Sequence, residues 1–321
     1  MSPAGLLILN RSSGTGHPAQ IVEALGSALR SGHGSPFDLE TVVVDGHPEA
    51  RSLAAQFVEF ASRPSLLVAA GGGGTLRAVV EGVMDSFPIS PPPGDAVRLA
   101  ALRMGSGNVV ARELGIPKDP VEAARQVGEG FASGLVRPCA VLRCSFGLPD
   151  GGTSVRHAVT MCGLGQWGRV PGDIARWRLR HARGRARAAS WVGLERVNAL
   201  EYVAFGAGRM VAGTVLASRC DTVEIDGARR LRLLAAVAMN LPLPPLPNPG
   251  VALGDEAVGL TVVPRLGRPL RRRLVRGDVF AVRLLDPDSV EFFLDEDPER
   301  ATGWLRLEVA GLLAFVPGRD V

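Results

Sequence analysis

Lysine is almost missing from this chain. Lys118 is the only one among 36 Lys and Arg residues in 321. No lysine is available for a Gly-x-x-x-x-Gly-Lys-Ser/Thr phosphate loop, and that pattern is absent. The arginine bias itself reads as an effect of genomic base composition. Cysteine is also scarce: Cys139, Cys144, Cys162 and Cys220 show no paired metal-ligand spacing. They read as reduced, mostly buried thiols of a cytoplasmic protein. No apolar run approaches the roughly 18–20 residues of a spanning helix. The first apolar run, Leu6-Leu7-Ile8-Leu9, is expected to be a strand and not an export signal. The chain is 46% apolar and 21% charged, which excludes disorder as the main state and suits two cored domains.

Glycine, by contrast, is concentrated where chemistry could use it. Leu66-Leu67-Val68-Ala69-Ala70 runs straight into Gly71-Gly72-Gly73-Gly74-Thr75. A helical pattern with Leu76, Val79, Val80, Val83 and Met84 on one face follows. Glycines between a buried strand and a helix start allow close approach of backbone to a ligand. The free N–H groups and positive dipole end of the helix favour an anion, by default a phosphate. A second turn, Gly105-Ser106-Gly107-Asn108, follows the strand-like Val97–Leu102, and a short helix runs from Val109 to a stop at Gly115-Ile116-Pro117. A third, Asn10-Arg11-Ser12-Ser13-Gly14-Thr15-Gly16, follows Leu6–Leu9. Three such turns suggest one nucleotide site built from several loops of one parallel sheet.

The rest of the first half alternates strand and helix, with helices at 21–29, 53–60 and 118–128 and a strand at 39–44. Pro88 to Pro93 reads as a surface loop. From about Val136 the rhythm changes to short strands, expected at 140–142, 155–161, 215–217, 222–225, 231–239, 258–263, 279–284 and 290–294. Turns such as Asp226-Gly227 separate them, which reads as an antiparallel sandwich. The cluster Pro242-Pro244-Pro245-Pro247-Pro249 is a loop within it.

The order Asn-x-x-Ser-Gly, Gly-Gly-x-Gly-Thr, Gly-Ser-Gly-Asn and Ala-Arg-x-Leu-Gly-Ile-Pro resembles the diacylglycerol kinase catalytic family. That family includes bacterial lipid kinases and the sphingosine and ceramide kinases and is distantly related to NAD kinases. Met161-Cys162-Gly163-Leu164-Gly165 is similar to the turn that opens the family's second domain. Leu294-Asp295-Glu296-Asp297-Pro298 sits where the family has Asp-Gly-Glu-Pro, and Leu312–Pro317 is similar to its closing strand. The resemblance implies an α/β nucleotide-binding domain over 1–130, to which about 308–321 return, and a β-sandwich substrate domain over 131–307. It implies ATP and Mg²⁺ as cofactors and a lipid hydroxyl as acceptor. Asn10, Ser13, Gly14, Gly71, Gly72, Gly74, Thr75, Gly105, Ser106, Gly107 and Asn108 would hold the nucleotide, and Asp295 would accept the hydroxyl proton.

The departures are as specific as the matches. The family's Gly-Gly-Asp-Gly-Thr has Gly73 in place of its aspartate. The following helix, usually with Asn-Glu and a later Asn, has Arg77, Ala78 and Glu81. Val109 stands where many members have aspartate. Around Asp295, Glu296 replaces the usual glycine and Asp297 the usual glutamate. A member that binds nucleotide or lipid without turnover is therefore an alternative to an active lipid kinase.

A dinucleotide-dependent oxidoreductase is the remaining alternative. Gly105-x-Gly107-x-x-x-Ala111 and Gly14-x-Gly16-x-x-Ala19 match its fingerprint, but no strand ending in an acid follows at the distance ribose binding needs.

From Arg169 to Arg187 lie seven arginines, with Trp177 and Trp191 interleaved and Asp173 the only acid. A helix is expected over 188–203. The segment reads either as peripheral contact with an anionic membrane on its inner face or as a solvated helix face with its tryptophans in the core. No nucleic-acid motif accompanies it. Asp255 lies near a family position linked to a structural Mg²⁺, where a plain turn is expected. The histidines at 17, 33, 47, 157 and 181 show no ligand spacing and are expected to be surface or structural.

Overall fold

The structure is a computed structural model that describes residues 4–13, 20–60, 64–87, 96–105, 108–216, 220–241, 250–286 and 289–319. The chain divides into two units, Met1–Ala140 with Ala310–Val321, and Val141–Val309. The boundary thus falls at 140 where the sequence suggested 130, and the chain returns to the first unit at Ala310.

The first unit alternates strand and helix: β1 (Gly5–Asn10), α1 (Gln20–His33), β2 (Leu39–Val44), α2 (His47–Phe60), β3 (Ser65–Gly71), α3 (Gly73–Ser86), β4 (Val97–Arg103), α4 (Val109–Glu113) and α5 (Pro120–Ala132). The strands are parallel in the order β2-β1-β3-β4. β3 is buried at every position, as a continuous apolar run covered on both faces should be. The register pairs Leu9 with Ala70 and Gly71 with Arg103. The carboxyl ends of β1, β3 and β4 therefore lie side by side, and all three glycine turns leave the sheet at one edge. α1 packs on α5 and α2 on α3. α5 starts as its sequence dictates, with Pro120 in its first turn and the Asp119 carboxylate accepting from Glu122 N–H.

The second unit is antiparallel. Its elements are β5 (Arg137–Gly147, begun in the first unit), β6 (Thr153–Ala158), β7 (Met161–Gly165), a single 3-10 turn at Trp167–Arg169, α6 (Val170–Val192) and α7 (Leu194–Val215). There follow β8 (Asp221–Ile225), β9 (Arg229–Met239), β10 (Ala257–Pro264), β11 (Leu270–Val275), β12 (Val279–Leu284), β13 (Val290–Leu294), β14 (Asp297–Ala301) and β15 (Trp304–Phe315). The strands run β14-β13-β7-β9-β8-β12-β15, with β10 and β11 attached through β9 and β6 through β5. β15 pairs antiparallel with β12, and its last residues, Ala314 and Phe315, pair parallel with β4 in the first unit. Phe146 and Phe292 meet edge to face at 4.9 Å in the core.

Several expectations are corrected. The run expected as a strand at 215–217 is not one: Val215 ends α7 and Leu216 caps it. Val215, the one β-branched residue there, takes a helix position as the last of the 22 residues of α7. The helix expected at 188–203 is broken at Gly193, whose φ of 88° ends α6 and starts α7. The strand expected at 155–161 is two strands, separated by a turn at Val159 and Thr160. β11 and β14 had no counterpart in the sequence reading. Both proline clusters, at 88–93 and 242–249, lie outside the described residues.

Candidate functional site

The glycine turns of the first unit are bound to one another by neutral hydrogen bonds. Asn10 Nδ2 donates to Thr75 Oγ1 at 3.0 Å, and Asn10 Oδ1 accepts from Ser12 N–H at 2.9 Å. Ser13 and Thr75 share a hydroxyl–hydroxyl bond at 3.3 Å, and Gly72 N–H donates to Ser13 Oγ at 3.3 Å. On the third turn, Asn108 Oδ1 accepts from Gly105 N–H at 3.0 Å while its amide donates back to Gly105 O. Asn108 sits at φ 49°, a left-handed conformation that Asn tolerates. Met104 N–H donates to Gly71 O at 3.3 Å, so the structure joins Asn10, Ser13, Gly71, Gly72, Thr75, Gly105 and Asn108. Gly14, Ser106, Gly107 and His17 lie outside the described residues.

The glycines are there because backbone meets backbone. A Cβ on Gly105 would stand 2.2 Å from Gly72 Cα. A Cβ on Gly71 would stand 2.3 Å from Thr75 Oγ1 and 2.9 Å from Ser13 Oγ. Gly73 and Gly74 differ: nothing lies within 4 Å of a Cβ on either, and both are exposed. They form the first turn of α3, which has no side-chain cap at Gly72 and no acid in its first turn. An α-helix of this length with an open, uncapped N-terminus presents N–H groups and a positive dipole end to an incoming anion. Ala78 is fully buried and Val109 half-buried.

The acids and bases of α3 are turned away from this opening, into the α2–α3 interface. Glu81 is sealed from solvent, and its Oε2 lies 3.0 Å from Arg51 Nη1 and 2.9 Å from His47 Nε2. Its Oε1 lies 3.3 Å from Arg77 Nη2, itself only 2% exposed. Arg51 also grips Asp85 through two bonds of 2.6 and 2.8 Å. The i,i+4 spacing of Arg77 and Glu81 is the trace this cluster leaves in the sequence, and the sequence reading did not use it. Among the described residues, no group of three or more His, Cys, Asp or Glu side chains could hold a metal ion. The described side chains form no protein cage for Mg²⁺.

In the second unit, Asp295 and Glu296 stand between β13 and β14 with φ of 57° and 153°. Both lie in the region that favours glycine, so Glu296 is strained at the place where the resembled family keeps glycine. Asp295 is 7% exposed, and its carboxylate accepts four hydrogen bonds. Oδ2 takes Val159 N–H at 2.7 Å; Oδ1 takes Thr160 N–H at 2.7 Å, Thr160 Oγ1–H at 2.6 Å and Met161 N–H at 3.0 Å. This carboxylate fixes the turn between β6 and β7. Glu296 is freer. Its side chain keeps solvent-accessible surface although protein crowds it. Burial pushes its carboxyl up to about 7, Asp295 and Asp297 add to that push, and Arg178 opposes it.

A polar cluster on α6 and α7 adjoins this turn electrostatically. Arg178 Nε donates to Glu201 Oε2 at 2.7 Å and its Nη2 to Asn198 Oδ1 at 2.9 Å. Arg185 Nε donates to Glu201 Oε1 at 2.8 Å. Burial pushes the Tyr202 hydroxyl well up from its ordinary value, with Glu296 adding to the effect. Nothing in the sequence spacing marks these residues, because the cluster is assembled across two helices and a distant turn.

Asp255 makes a plain turn, accepting from Ala252 N–H at 2.9 Å. The four cysteines are buried and form no disulfide. His33 stacks on Phe37, His47 meets Glu81, and His181 stacks on Trp177.

Comparison with known proteins follows the same lines. Residues 4–138 match the family described as the diacylglycerol kinase catalytic domain. No curated protein matches the sequence. The fold is similar to that of a provisionally assigned diacylglycerol kinase from Bacillus anthracis str. Sterne, at 16% identity and TM-score 0.64 over 100% of both chains. It is also similar to a second structure, of a diacylglycerol kinase from the same organism, at 16% identity and TM-score 0.60 over 99% of this chain and 98% of that one. The family implies a nucleotide of the ATP type and a divalent ion, and the backbone-lined opening at α3 fits the former. The match to the diacylglycerol kinase catalytic domain thus covers the stretch that carries all three glycine turns, and the likeness to the two solved structures extends the fold over the rest of the chain.

Proposed function

We propose that the chain transfers the terminal phosphoryl group of ATP to the hydroxyl of a diacylglycerol-like or sphingoid lipid. The observation that carries this reading is the joining of Asn10, Ser13, Thr75, Gly72 and Gly105 in front of the uncapped N-terminus of α3. Backbone N–H groups and hydroxyls at the carboxyl edge of a parallel sheet suit a triphosphate. Gly71, Gly72, Gly74 and Gly105 let that backbone approach, Thr75 and Ser13 offer hydroxyls, and Asn108 closes the third turn.

In the transfer, the acceptor O–H gives up its proton, its oxygen bonds to the γ-phosphorus, and the bond to the β-phosphate oxygen breaks to leave ADP. The proton acceptor this reading assigns is the acidic turn at Asp295, by its resemblance to the place where the family has its base. Asp295 holds that turn through its four hydrogen bonds, and Glu296, crowded and water-accessible, exchanges the proton. The open position at Gly73 favours a second reading, a member that binds nucleotide without turnover, since the acid the family places there is absent.

Labelled ATP incubated with the full chain, Mg²⁺ and a mixed lipid extract separates the two. The kinase reading expects labelled lipid, a rate that rises through about pH 7, and a profile flattened in Glu296→Gln. Tight ATP binding with no lipid product would leave the binding-only reading in its place.

A further inference from the structure

α7 is built inside out. Its polar side chains point inward: Asn198 and Glu201 are 7% and 6% exposed and are held by Arg178 and Arg185, while Arg209 is paired with Asp173. Tyr202, Phe205 and Met210 pack on the core around Trp167 and Val237. Its outward side is apolar. Leu200 is 65% exposed, Val211 63% and Val215 69%, and Val203, Ala204 and Ala207 complete the stripe. These positions recur at three- and four-residue steps, so they form one continuous helix face. Between Arg196 and the end of α7, that face carries no charge. A contiguous apolar stripe of this length on a protein surface marks something that covers it.

The charges around the stripe identify the cover. Of the seven arginines between 169 and 187, Arg169 pairs with Asp221, Arg176 with Asp173, and Arg178 and Arg185 with Glu201. Arg180, Arg183 and Arg187, with Arg196 at the start of α7, are exposed and without ion-pair partners among the described residues. No described acidic side chain of α6 or α7 is exposed. Trp191 and Leu179 are each 84% exposed, so Trp191 is not the core tryptophan the solvated-face reading needed. Cations, an amphipathic indole and an apolar stripe together suit the headgroup boundary of a bilayer. No described helix is long and apolar enough to cross one. A second copy of the chain suits the surface less, because a symmetric contact would set these arginines against themselves.

We propose that the outward face of α7, flanked by Arg180, Arg183, Arg187 and Trp191 of α6, docks on an anionic lipid surface. The arginines draw the chain to the headgroups, and Leu200, Val203, Val211 and Val215 enter the acyl boundary. Docking requires neither nucleotide nor turnover, so its failure leaves the kinase reading standing.

The test is co-sedimentation of the full chain with vesicles of phosphatidylglycerol and phosphatidylcholine, and with phosphatidylcholine alone. The wild type is expected to pellet with the anionic vesicles and to be partly released by high salt. Arg180→Gln with Arg183→Gln and Arg187→Gln should weaken that binding by about 100-fold, roughly fivefold per arginine. Leu200→Asp with Val211→Asp should weaken it at least tenfold. The changed side chains are exposed, so unchanged thermal melting is expected for both variants. A wild type that stays in the supernatant overturns the proposal, as does an apolar variant that pellets like the wild type. So does a homodimer, seen by light scattering, that Leu200→Asp dissociates while vesicle binding is unaltered.

Discussion

The glycine turns of the first unit and the acidic turn of the second fix their functional groups by opposite means. In the first, the groups are neutral, two hydroxyls, one side-chain amide and one backbone N–H, tied by bonds of 3.0 to 3.3 Å among Asn10, Ser13, Thr75 and Gly72. No single side chain carries the arrangement, but a single added Cβ disrupts it, since Gly105 and Gly72 touch. In the second, one buried carboxylate gathers four donors, and two successive residues sit at strained φ. A region held by several weak neutral bonds around tightly packed glycines tolerates the loss of one side chain better than the gain of volume. A region built on one charge behaves the other way.

The sharpest way to break this comparison is to truncate the charge. Asp295→Ala leaves Val159 N–H, Thr160 N–H, Thr160 Oγ1–H and Met161 N–H without their acceptor. At about 1–3 kcal/mol for each buried donor left unsatisfied, the second unit should lose at least about 3 kcal/mol by urea denaturation. Ser13→Ala, the matching truncation in the first unit, should cost about 1 kcal/mol or less. Equal losses would mean that the two turns are held alike.

The next effect is on binding. Gly105→Val places a branched side chain where a Cβ alone would be 2.2 Å from Gly72 Cα. ATP affinity, measured by calorimetry, should fall at least tenfold, about 1.4 kcal/mol. Unchanged affinity in a folded variant would remove the glycine turns from the nucleotide site.

These two regions were not equally legible in the sequence. The first could be read because its signal is local. An apolar run such as Leu66–Ala70 followed at once by glycines and Thr75 fixes strand, turn and helix start together, and parallel pairing then sets the turns side by side. The second rests on contacts between residues far apart in the chain. Nothing near Glu296 announces that Arg178 faces it, or that Asp295 would be occupied by the backbone of 159–161. The α7 face was hidden for another reason. Helical spacing of Leu200, Val203 and Val211 reads the same whether the stripe points in or out, and only Asn198 and Glu201 buried against Arg178 decide it. Gly193 breaks a helix that its neighbours would continue, because its φ of 88° is open to glycine alone at low cost.

The acidic turn also predicts a pH dependence that the glycine turns do not share. The Glu296 carboxyl is raised to about 7 in the folded chain, above its ordinary value, by burial and by Asp295 and Asp297. At low pH both folded and unfolded chains hold the proton, and the residue adds no slope. As pH rises through the interval up to about 7, the unfolded chain loses its proton first, so stability falls across that window and levels off above it. Glu296→Gln has no proton to lose. Its melting temperature should match the wild type at pH 4 and exceed it at pH 8, by an amount that solvent access to the side chain keeps modest. A difference of the same size at both pH values would show that strain at φ 153°, common to both residues, outweighs the charge.

The smallest expected change is a gain, and it tests whether the first unit can be made to resemble the second. Gly73 is exposed, nothing lies within 4 Å of a Cβ placed there, and its φ is not in the glycine-favouring region. Gly73→Asp should therefore fold without cost beyond a few tenths of a kcal/mol, and an acid in the first turn of α3 favours the helix by about 0.3–1 kcal/mol. Toward ligands the sign depends on the ion. A carboxylate at the opening repels a bare triphosphate and attracts one that arrives with Mg²⁺, so ATP affinity should drop severalfold without the metal and recover when it is added. Turnover then separates the two functional readings. If the wild type is a binder that lost its acid, Gly73→Asp should raise lipid phosphorylation above background. If Glu296 already exchanges the proton, the same substitution should leave the rate within a few-fold of the wild type, while Glu296→Gln lowers it by roughly 10²-fold, as loss of a general base does. A Gly73→Asp chain whose ATP affinity ignores Mg²⁺ would place the nucleotide away from the N-terminus of α3.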